Sequence, residues 1–282
     1  MGQTQQSRRT SDWTCDEELE TAARYISAVR ASARSTSVLR AGLYRPGIAA
    51  LVTVLRSLPV VDAPFTDGPG GRELRNWFAY GRGLFLGRAP VALLRLPDTR
   101  EEYLRGRPRQ ALRTNVSRAT AMGIRCAPVT DPAELAEVVA HVAGRRGQDP
   151  ATMIRQDLDP AVPRRFTVAR DAAGEPVALS ETWLDGEWAG LAVLVTVPGE
   201  GDSQVLRYLL HVETVADLIG CGVRMVTVSG SMFLTSAGTR YFQRRTGFVP
   251  VWLRPVPGPA GGARPTVEVG RERFREVTSV AS

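Results

Sequence analysis

The stretch that decides the fold is 176–197, PVALSETWLDGEWAGLAVLVTV. It contains two runs of strand-forming residues, 176–184 and 188–197, and both are rich in Val, Leu, Trp and Thr. The dipeptide Asp185-Gly186 separates them, and Asp-Gly between two apolar runs is the strongest short-range signal for a tight hairpin. The sequence therefore predicts two antiparallel strands at this point of the chain.

A crossover helix and a further strand follow the hairpin. Residues 203–219 have apolar side chains at helical spacing, Asp202 or Ser203 is a suitable N-cap, and Gly220 and Gly222 end the run. The next strand is 223–228. A strand reached through a crossover helix pairs in parallel within the same sheet. We expect this strand to be parallel to 188–197 and splayed from it, which gives an α/β fold with a mixed central sheet.

Outward from this segment, strand and helix patterns alternate along most of the chain. Turn residues, caps and apolar spacing predict further strands at 89–96, 124–129, 166–170, 248–254 and 266–269, and helices at 16–34, 47–58, 98–123, 131–144, 149–159 and 236–246. The helix 98–123 is interrupted at Gly106, and 64–71 is a Pro/Gly loop. From residue 124 the order is strand, helix, helix, three strands, helix, strand, helix, strand, strand.

The segment 241–248, YFQRRTGF, gives this order a more specific meaning. It resembles the late helix-to-strand segment of the GNAT acyltransferase superfamily, in which an aromatic residue precedes a Gly-Phe pair. The order of elements resembles that superfamily as well. The resemblance implies a GNAT-type mixed central sheet flanked by helices over 124–282. Residues 1–123 are then an N-terminal helical and mixed region, or a degenerate GNAT half.

Two departures from the superfamily pattern affect the cofactor. Members that use acetyl-CoA have a Q/R-x-x-G-x-G/A loop for the pyrophosphate, whereas residues 198–208 read PGEGDSQVLRY, with the glycines too early. Glu200 and Asp202 would also place carboxylates beside a diphosphate, which is unfavourable. Gln243 stands where a proton-donating Tyr is common. We therefore expect no CoA pyrophosphate site and no cofactor.

The Arg-rich segment 105–123 is similar to the helix that precedes the C-terminal half in Fem-type ligases. Those proteins have the GNAT fold and take the acyl group from aminoacyl-tRNA. Phe242 with Arg244 and Arg245 is similar to an aromatic-plus-basic pair of that family. The resemblance implies an aminoacyl-tRNA-dependent acyltransferase that forms an amide with a small or peptide-like amine, as in specialised metabolism. Two alternatives stay open: an acyl-CoA-dependent N-acyltransferase with a degenerate phosphate loop, and a non-catalytic RNA-binding relative.

The distribution of charge agrees with an RNA partner. All 36 basic residues are Arg, the acidic residues number 29, and the net charge is +7. Segments 103–130 and 218–267 contain no acidic residue, and such segregation makes a surface that attracts phosphates. The alternative is a scatter of solvated surface arginines. If the two segments meet, we expect contacts to the phosphates of a tRNA acceptor stem from Arg109, Arg113, Arg118, Arg240, Arg244 and Arg245.

Four residues are candidates for catalysis. Glu181 shares a strand face with apolar residues, so it is either paired with an Arg or a general base with a raised pKa. His211, in the crossover helix, is either a packed core histidine or a base. Ser229 follows the strand 223–228 and could orient the ester, and Tyr241 is a candidate acid. Backbone N–H groups at 195–197 are the expected oxyanion donors.

Other classes of protein are excluded by composition. The three cysteines are far apart, there are two histidines, and no metal-binding motif occurs, so neither a zinc site nor a disulfide framework is expected. The most apolar stretch, 47–61, is too short to span a membrane and contains Arg56. Without a secretory signal in 1–9, the expected location is the cytoplasm, with no membrane partner.

Overall fold

The computed structural model describes residues 20–24, 45–79, 89–155, 158–199, 203–228 and 235–258. Residues 20–24 are helical. The strands are β1 Val60–Phe65, β2 Ala89–Arg95, β3 Arg125–Val129, β4 Arg164–Arg170, β5 Pro176–Asp185, β6 Trp188–Thr196, β7 Met225–Val228 and β8 Val249–Pro257. The helices are α1 Arg45–Ser57, α2 Pro69–Ala79, α3 Arg100–Tyr103, α4 Gln110–Ala121, α5 Pro132–Arg146, α6 Pro150–Met153, α7 Ser203–Gly220 and α8 Ala237–Thr246, with a 3-10 turn at Arg107–Arg109.

Within the described residues, eight strands form one mixed sheet in the order β1-β8-β2-β7-β6-β5-β4-β3. Apolar side chains cover both faces. Leu112 of α4 and Phe242 of α8 pack with Leu94 of β2 on one face. Leu74 of α2 packs with Leu93 on the other. The α/β class, with a mixed sheet flanked by helices, is confirmed, and so is the order of elements from β3 to β8. The strand predicted at 266–269 lies outside the described residues.

The hairpin forms as predicted, but its turn is one residue later than expected. β5 and β6 are antiparallel, and Asp185 is still paired with Trp188, so the turn residues are Gly186 and Glu187. The Asp185 carboxylate accepts hydrogen bonds from the backbone N–H of Thr66 at 2.8 Å and from its hydroxyl at 2.5 Å. These bonds tie the end of β5 to the loop between β1 and α2.

The parallel pairing across the crossover is confirmed. β6 pairs with β7 from Trp188↔Met225 to Leu191↔Val228. Residues 192–196 of β6 pair only with β5 among the described residues, and all five are partly exposed. Ala192 is also an extra residue at a bulge opposite Glu181 and Thr182. Among the described residues, β6 therefore presents an open backbone edge at 192–196, beyond the point where β7 ends.

Residues before 124 supply two strands of the same sheet. β2 lies between β7 and β8 and is antiparallel to both, and β1 is parallel to β8. The sheet therefore continues across the boundary drawn at 123/124. Strand β1 and helix α2 were not predicted. The Pro/Gly run at 64–71 is typical of a loop, yet Phe65 ends a strand and Pro69 begins a helix, a position that proline favours.

The segment that bears the Arg-rich helix divides as expected. Gly106 has φ +90° and separates α3 from the turn at Arg107–Arg109, in which Pro108 is an early helical residue. Asp131 caps α5 by accepting from the N–H of Ala133, as predicted, whereas Glu134 bonds Arg170 instead of closing a capping box. The helix predicted at 149–159 is shorter in the structure, where α6 begins at Pro150 and ends at Met153.

Candidate functional site

The open edge of β6 lies inside the sheet and, among the described residues, leaves backbone groups available to a ligand. The N–H of Val197 donates to the carbonyl of Val177 at 2.8 Å. Backbone groups of an antiparallel strand alternate in direction, so Val195 also points to β5, and Leu194 and Thr196 point away from it. Of the predicted oxyanion donors at 195–197, Thr196 therefore has its N–H on the open edge. Leu194 joins it there, and the sequence alone gave no sign of its direction.

The carbonyl of Thr196 on that edge already has a partner. It accepts a hydrogen bond of 2.5 Å from Nη1 of Arg146, in the last turn of α5. The Arg146 guanidinium also donates to Gln148 at 2.8 Å. A fixed positive charge beside the open edge favours an anion that develops close to it.

Glu181 is held in an ion pair inside the protein. Its side chain is fully buried, and Oε1 accepts from Nε of Arg164 at 2.8 Å, from Nη2 of Arg164 at 2.5 Å and from the indole N–H of Trp183 at 2.7 Å. Oε2 has no hydrogen-bond partner among the described residues. Of the two interpretations of Glu181, the geometry fits the structural pairing with an arginine.

His211 is a neutral histidine in the core between α3, α7 and α8. The Tyr103 hydroxyl donates to the carbonyl of Thr246 at 2.8 Å, so the 2.9 Å contact between that hydroxyl and Nε2 of His211 has the imidazole N–H as its donor. Phe242 and Phe248 pack against the ring. Burial, together with the charges of Arg109 and Arg207, lowers the pKa of His211 to about 3. Such a group accepts no proton at neutral pH.

The predicted catalytic residues are not brought together. Ser180, next to Glu181 in β5, contacts Thr214 of α7 at 2.7 Å, so the Glu181 side chain lies on the opposite face from α7 and from His211. Tyr241 is on the surface of α8, 56% exposed. Ser229 lies outside the described residues. A shared acid–base site made of Glu181, His211 and Tyr241 is therefore not present in this geometry.

The two acid-free segments do meet, where the start of α4 packs against α8. Several of the arginines are used for structure, however. Arg109 donates to the carbonyl of Arg245 at 3.1 Å and lies over the ring of Tyr103. Arg113 donates to the carbonyls of Leu104 and Gly106, at 2.5 and 2.8 Å.

Arg240 was expected to contact phosphate, and its position argues against that role. The side chain is 3% exposed and donates to the carbonyl of Thr235 at 2.7 Å and to Glu20 at 3.4 Å. Arg118 and Arg244 are exposed, and Arg244 lies 3.7 Å from Glu20. An exposed guanidinium is required for a phosphate contact, so Arg240 belongs to the packing of α8 rather than to an RNA surface.

An open depression of about 610 Å³ lies at the junction of α4 and α8. Its lining consists of polar and basic side chains with two small apolar residues: Arg107, Pro108, Gln110, Ala111, Thr114, Asn115 and Arg245. Arg245 was predicted for this surface and Arg107 was not, although Arg107 belongs to the same Arg-x-Arg-x-Arg run. The fold brings the first turn of α4 against the last turn of α8. This packing places Arg107, rather than the neighbouring arginines of the run, in the lining of the depression.

Arg207 of α7 is a further basic residue that the sequence did not single out. Its guanidinium lies over the ring of Phe242, 4.3 Å from the centroid, and burial lowers its pKa. The adjacent Tyr208 ring packs on Phe242, and burial is the main cause that raises the Tyr208 pKa. Phe242 therefore packs beside basic side chains, although its own ring is buried.

The Arg109 guanidinium occupies the space that a Cβ on Gly247 would need. Gly247 ends α8 with φ +91°, and a Cβ there would clash with Nη2 of Arg109. We expect Gly247→Ala to lower the free energy of unfolding by about 1–2 kcal/mol, because the left-handed conformation is unfavourable for alanine. Denaturant unfolding measures this. Gly238→Ala in the same helix, where a Cβ meets nothing within 4 Å, should cost nothing, and an equal cost for both would contradict the prediction.

The described residues contain neither a cluster of metal ligands nor a membrane-spanning helix. No group of three or more His, Cys, Asp or Glu side chains is placed to hold a metal ion there. In the same part of the chain, no helix is long and apolar enough to cross a membrane. Cys126 and Cys221 are free thiols, and burial raises the pKa of both.

Comparison with known proteins gave structural likenesses only. No family model and no curated protein matches the chain. Among solved structures, it is similar to a C-terminal domain from Agrobacterium fabrum assigned to a lysylphosphatidylglycerol synthetase, with 14% identity, 58% of each chain covered and a TM-score of 0.42. L-PGS from Bacillus licheniformis matches at 15% identity over 58% of this chain and 57% of that one, with a TM-score of 0.42.

A third similar structure is a GCN5-related N-acetyltransferase from Kribbella flavida. It has 16% identity over 59% of this chain and 56% of that one, with a TM-score of 0.35. The chain thus covers less than two thirds of the length of each of these proteins. With every TM-score below 0.5, the likenesses do not assign this chain to a family.

Proposed function

We propose that this protein is an acyltransferase that moves an aminoacyl group from aminoacyl-tRNA to an amine of a small or peptide-like acceptor. The observation that carries the proposal is the open edge of β6. A strand edge with two outward N–H groups, at Leu194 and Thr196, offers hydrogen-bond donors to an acyl carbonyl without any side-chain nucleophile. Donors fixed in a sheet stabilise the oxyanion that forms when the carbonyl is attacked.

The chemistry asks little of the protein beyond positioning. The amine nitrogen forms a bond to the ester carbonyl carbon, the bond to the ribose oxygen breaks, and the proton lost by the amine ends on that oxygen. Because the ester is already activated, orienting the two reactants supplies much of the acceleration. His211 does not serve as the base, since its unprotonated nitrogen, Nδ1, is buried without a hydrogen-bond partner among the described residues, and the pKa of the imidazole is about 3. The leaving ribose oxygen is the simplest proton acceptor and becomes the 3′-terminal hydroxyl, and neither metal nor cofactor is required.

The basic junction of α4 and α8 supports tRNA as the acyl donor. Residues 103–130 and 218–267 contain no acid, and they come together at the depression that Arg107 and Arg245 line. Phosphates of a nucleic acid are attracted to such a surface over several ångströms, and binding of this kind weakens as salt rises. This surface favours aminoacyl-tRNA over a small acyl donor.

The test is transfer of a labelled acyl group from each donor. Purified protein is mixed with a panel of amines and with total tRNA charged with radiolabelled amino acids, or with radiolabelled acetyl-CoA. We expect a labelled amide with charged tRNA only. Transfer from acetyl-CoA alone would replace the proposal by the acyl-CoA-dependent alternative. RNA binding without any transfer from either donor would favour the non-catalytic alternative.

A further inference from the structure

We propose that the depression between α4 and α8 binds an unpaired RNA strand, with Arg107 and Arg245 on its phosphates and Tyr241 stacked on a base. The inference rests on the proposed function, for which it supplies the place of the single-stranded 3′ end of the tRNA. Of these three residues, the sequence assigned only Arg245 to phosphate contacts; Arg107 was not singled out, and Tyr241 was a candidate acid.

The side chains of these two arginines differ from those of their neighbours because they donate to no protein group among the described residues. The Arg107 side chain makes no hydrogen bond or ion pair with any described residue, although the backbone carbonyl of Arg107 accepts from the N–H of Gln110, and the Arg245 side chain is not bonded to a carboxylate in the same part of the chain. Arg109, Arg113 and Arg240 by contrast donate to backbone carbonyls. An arginine without a carboxylate partner keeps all five N–H donors available, and their fork geometry matches phosphate oxygens.

The rest of the lining suits a phosphate and carries no charge against it. Gln110, Thr114 and Asn115 add amide and hydroxyl groups, and the lining includes no Asp or Glu. The amide nitrogen of Asn115 donates to the carbonyl of Ala111 at 2.8 Å. Polar side chains of these types contribute many of the hydrogen bonds that proteins make to nucleic-acid backbones.

Tyr241 lies directly beside this lining, one turn before Arg245 in α8. The guanidinium of Arg245 is 5.1 Å from the centre of the Tyr241 ring, yet 56% of the side chain is exposed. It is the most exposed large apolar or aromatic side chain among the described residues. Exposed aromatic rings beside arginines stack on unpaired bases, whereas bases within a duplex are already stacked on one another.

Because the depression is open, its shape favours an RNA strand over a small phosphate compound as the ligand. The site is a shallow surface feature in which arginines from two different elements flank polar side chains. A mononucleotide would need enclosing walls around its base, and Tyr241 lies on the outer surface of α8. A chain of successive phosphates and bases can contact Arg107, Arg245 and Tyr241 together.

The experiment measures binding of uncharged RNA, so it does not depend on transfer. The probes are a fluorescent RNA hairpin with a four-nucleotide unpaired 3′ tail, the same hairpin with a blunt end, and AMP. Dissociation constants are measured by anisotropy at several salt concentrations for wild type, Arg107→Ala, Arg245→Ala and Tyr241→Phe or Tyr241→Ala. Arg125→Ala is the charge-matched control, because this exposed residue follows the far end of α4, a helix about 18 Å long.

We expect the tailed hairpin to bind at least 5-fold more tightly than the blunt one. Tyr241→Ala should remove that preference with an unchanged salt slope, and Tyr241→Phe should keep it. Each arginine variant should weaken binding about 5- to 10-fold and reduce the salt slope by roughly 0.7, as expected for one phosphate contact to a single strand. Arg125→Ala should change affinity less than 2-fold.

Different failures have different meanings. If wild type binds the tailed hairpin and transfers from charged tRNA while all three variants bind as tightly as wild type, the strand lies elsewhere and the proposed function stands. If AMP binds more tightly than the tailed hairpin, the ligand of the depression is a mononucleotide and the proposal of an RNA strand is wrong. If wild type binds no RNA, this inference and the proposed function both fail.

Discussion

Replacing Arg164 by methionine is expected to lower the free energy of unfolding by about 3–5 kcal/mol. Arg164 supplies two of the three hydrogen bonds to Oε1 of Glu181, whose side chain is fully buried. Without the guanidinium, the Glu181 carboxylate is an uncompensated charge away from water, and removal of one partner of a buried ion pair costs about this much. Urea unfolding, monitored by the fluorescence of the tryptophans, measures the change.

The matched control removes the charge as well as its partner. In the double variant Arg164→Met with Glu181→Leu, no buried charge is left, so most of the lost stability should return, although the indole N–H of Trp183 loses its acceptor. If Arg164→Met costs less than about 1 kcal/mol, Glu181 is not dependent on that pair. A rescue by the double variant would also separate a structural role from a catalytic one, because it keeps the fold without the carboxylate.

The hairpin and crossover were predictable because their signals are local. Alternating apolar residues, a Gly-containing turn and capped helix ends are properties of ten or twenty neighbouring residues, and they hold for β5, β6, α7 and α8. Strand β1 was missed for the opposite reason. Its neighbour β8 is nearly 200 residues away, and residues 60–65, VVDAPF, contain a proline and only six positions. Edge pairing with a distant strand stabilises it, and local sequence does not encode that contact.

The positive charge of the candidate site could be predicted from the sequence, but the hydrogen-bond partners of its individual arginines could not. Arg-rich runs without acids indicated where the basic surface would lie, and the two runs do meet. Which arginine is available to a ligand depends on the carbonyls that happen to lie nearby. Gly106 has φ +90° and turns the chain so that the Arg113 side chain donates to the carbonyls of Leu104 and Gly106. The Arg107 side chain, in the 3-10 turn that follows, donates to no carbonyl among the described residues. The same applies to buried Glu181, whose partner Arg164 is 17 residues away.

The neutral state of His211 predicts a loss of stability in mild acid. The pKa of His211 is about 3 in the folded protein and about 6.5 in the unfolded chain. Below pH 6.5 the unfolded chain takes up a proton that the folded protein does not, so unfolding becomes more favourable as the pH falls. His211 thus contributes stability above pH 6.5 that is lost progressively toward pH 3, and the loss reaches about 2 kcal/mol at pH 5.

A variant isolates this contribution from that of the carboxylates, which also titrate in acid. His211→Gln cannot be protonated, and its amide N–H can still donate to the Tyr103 hydroxyl. Between pH 7 and pH 5 its free energy of unfolding should therefore fall about 2 kcal/mol less than that of wild type. Proton NMR provides a second measurement on the wild type: the imidazole signal of His211, distinguished from that of His141 by a His141→Gln variant, should not shift between pH 7 and pH 4.5. An imidazole that titrates near pH 6.5, or equal pH dependence in the two proteins, would contradict the burial of a neutral histidine, and His211 would again be a candidate base.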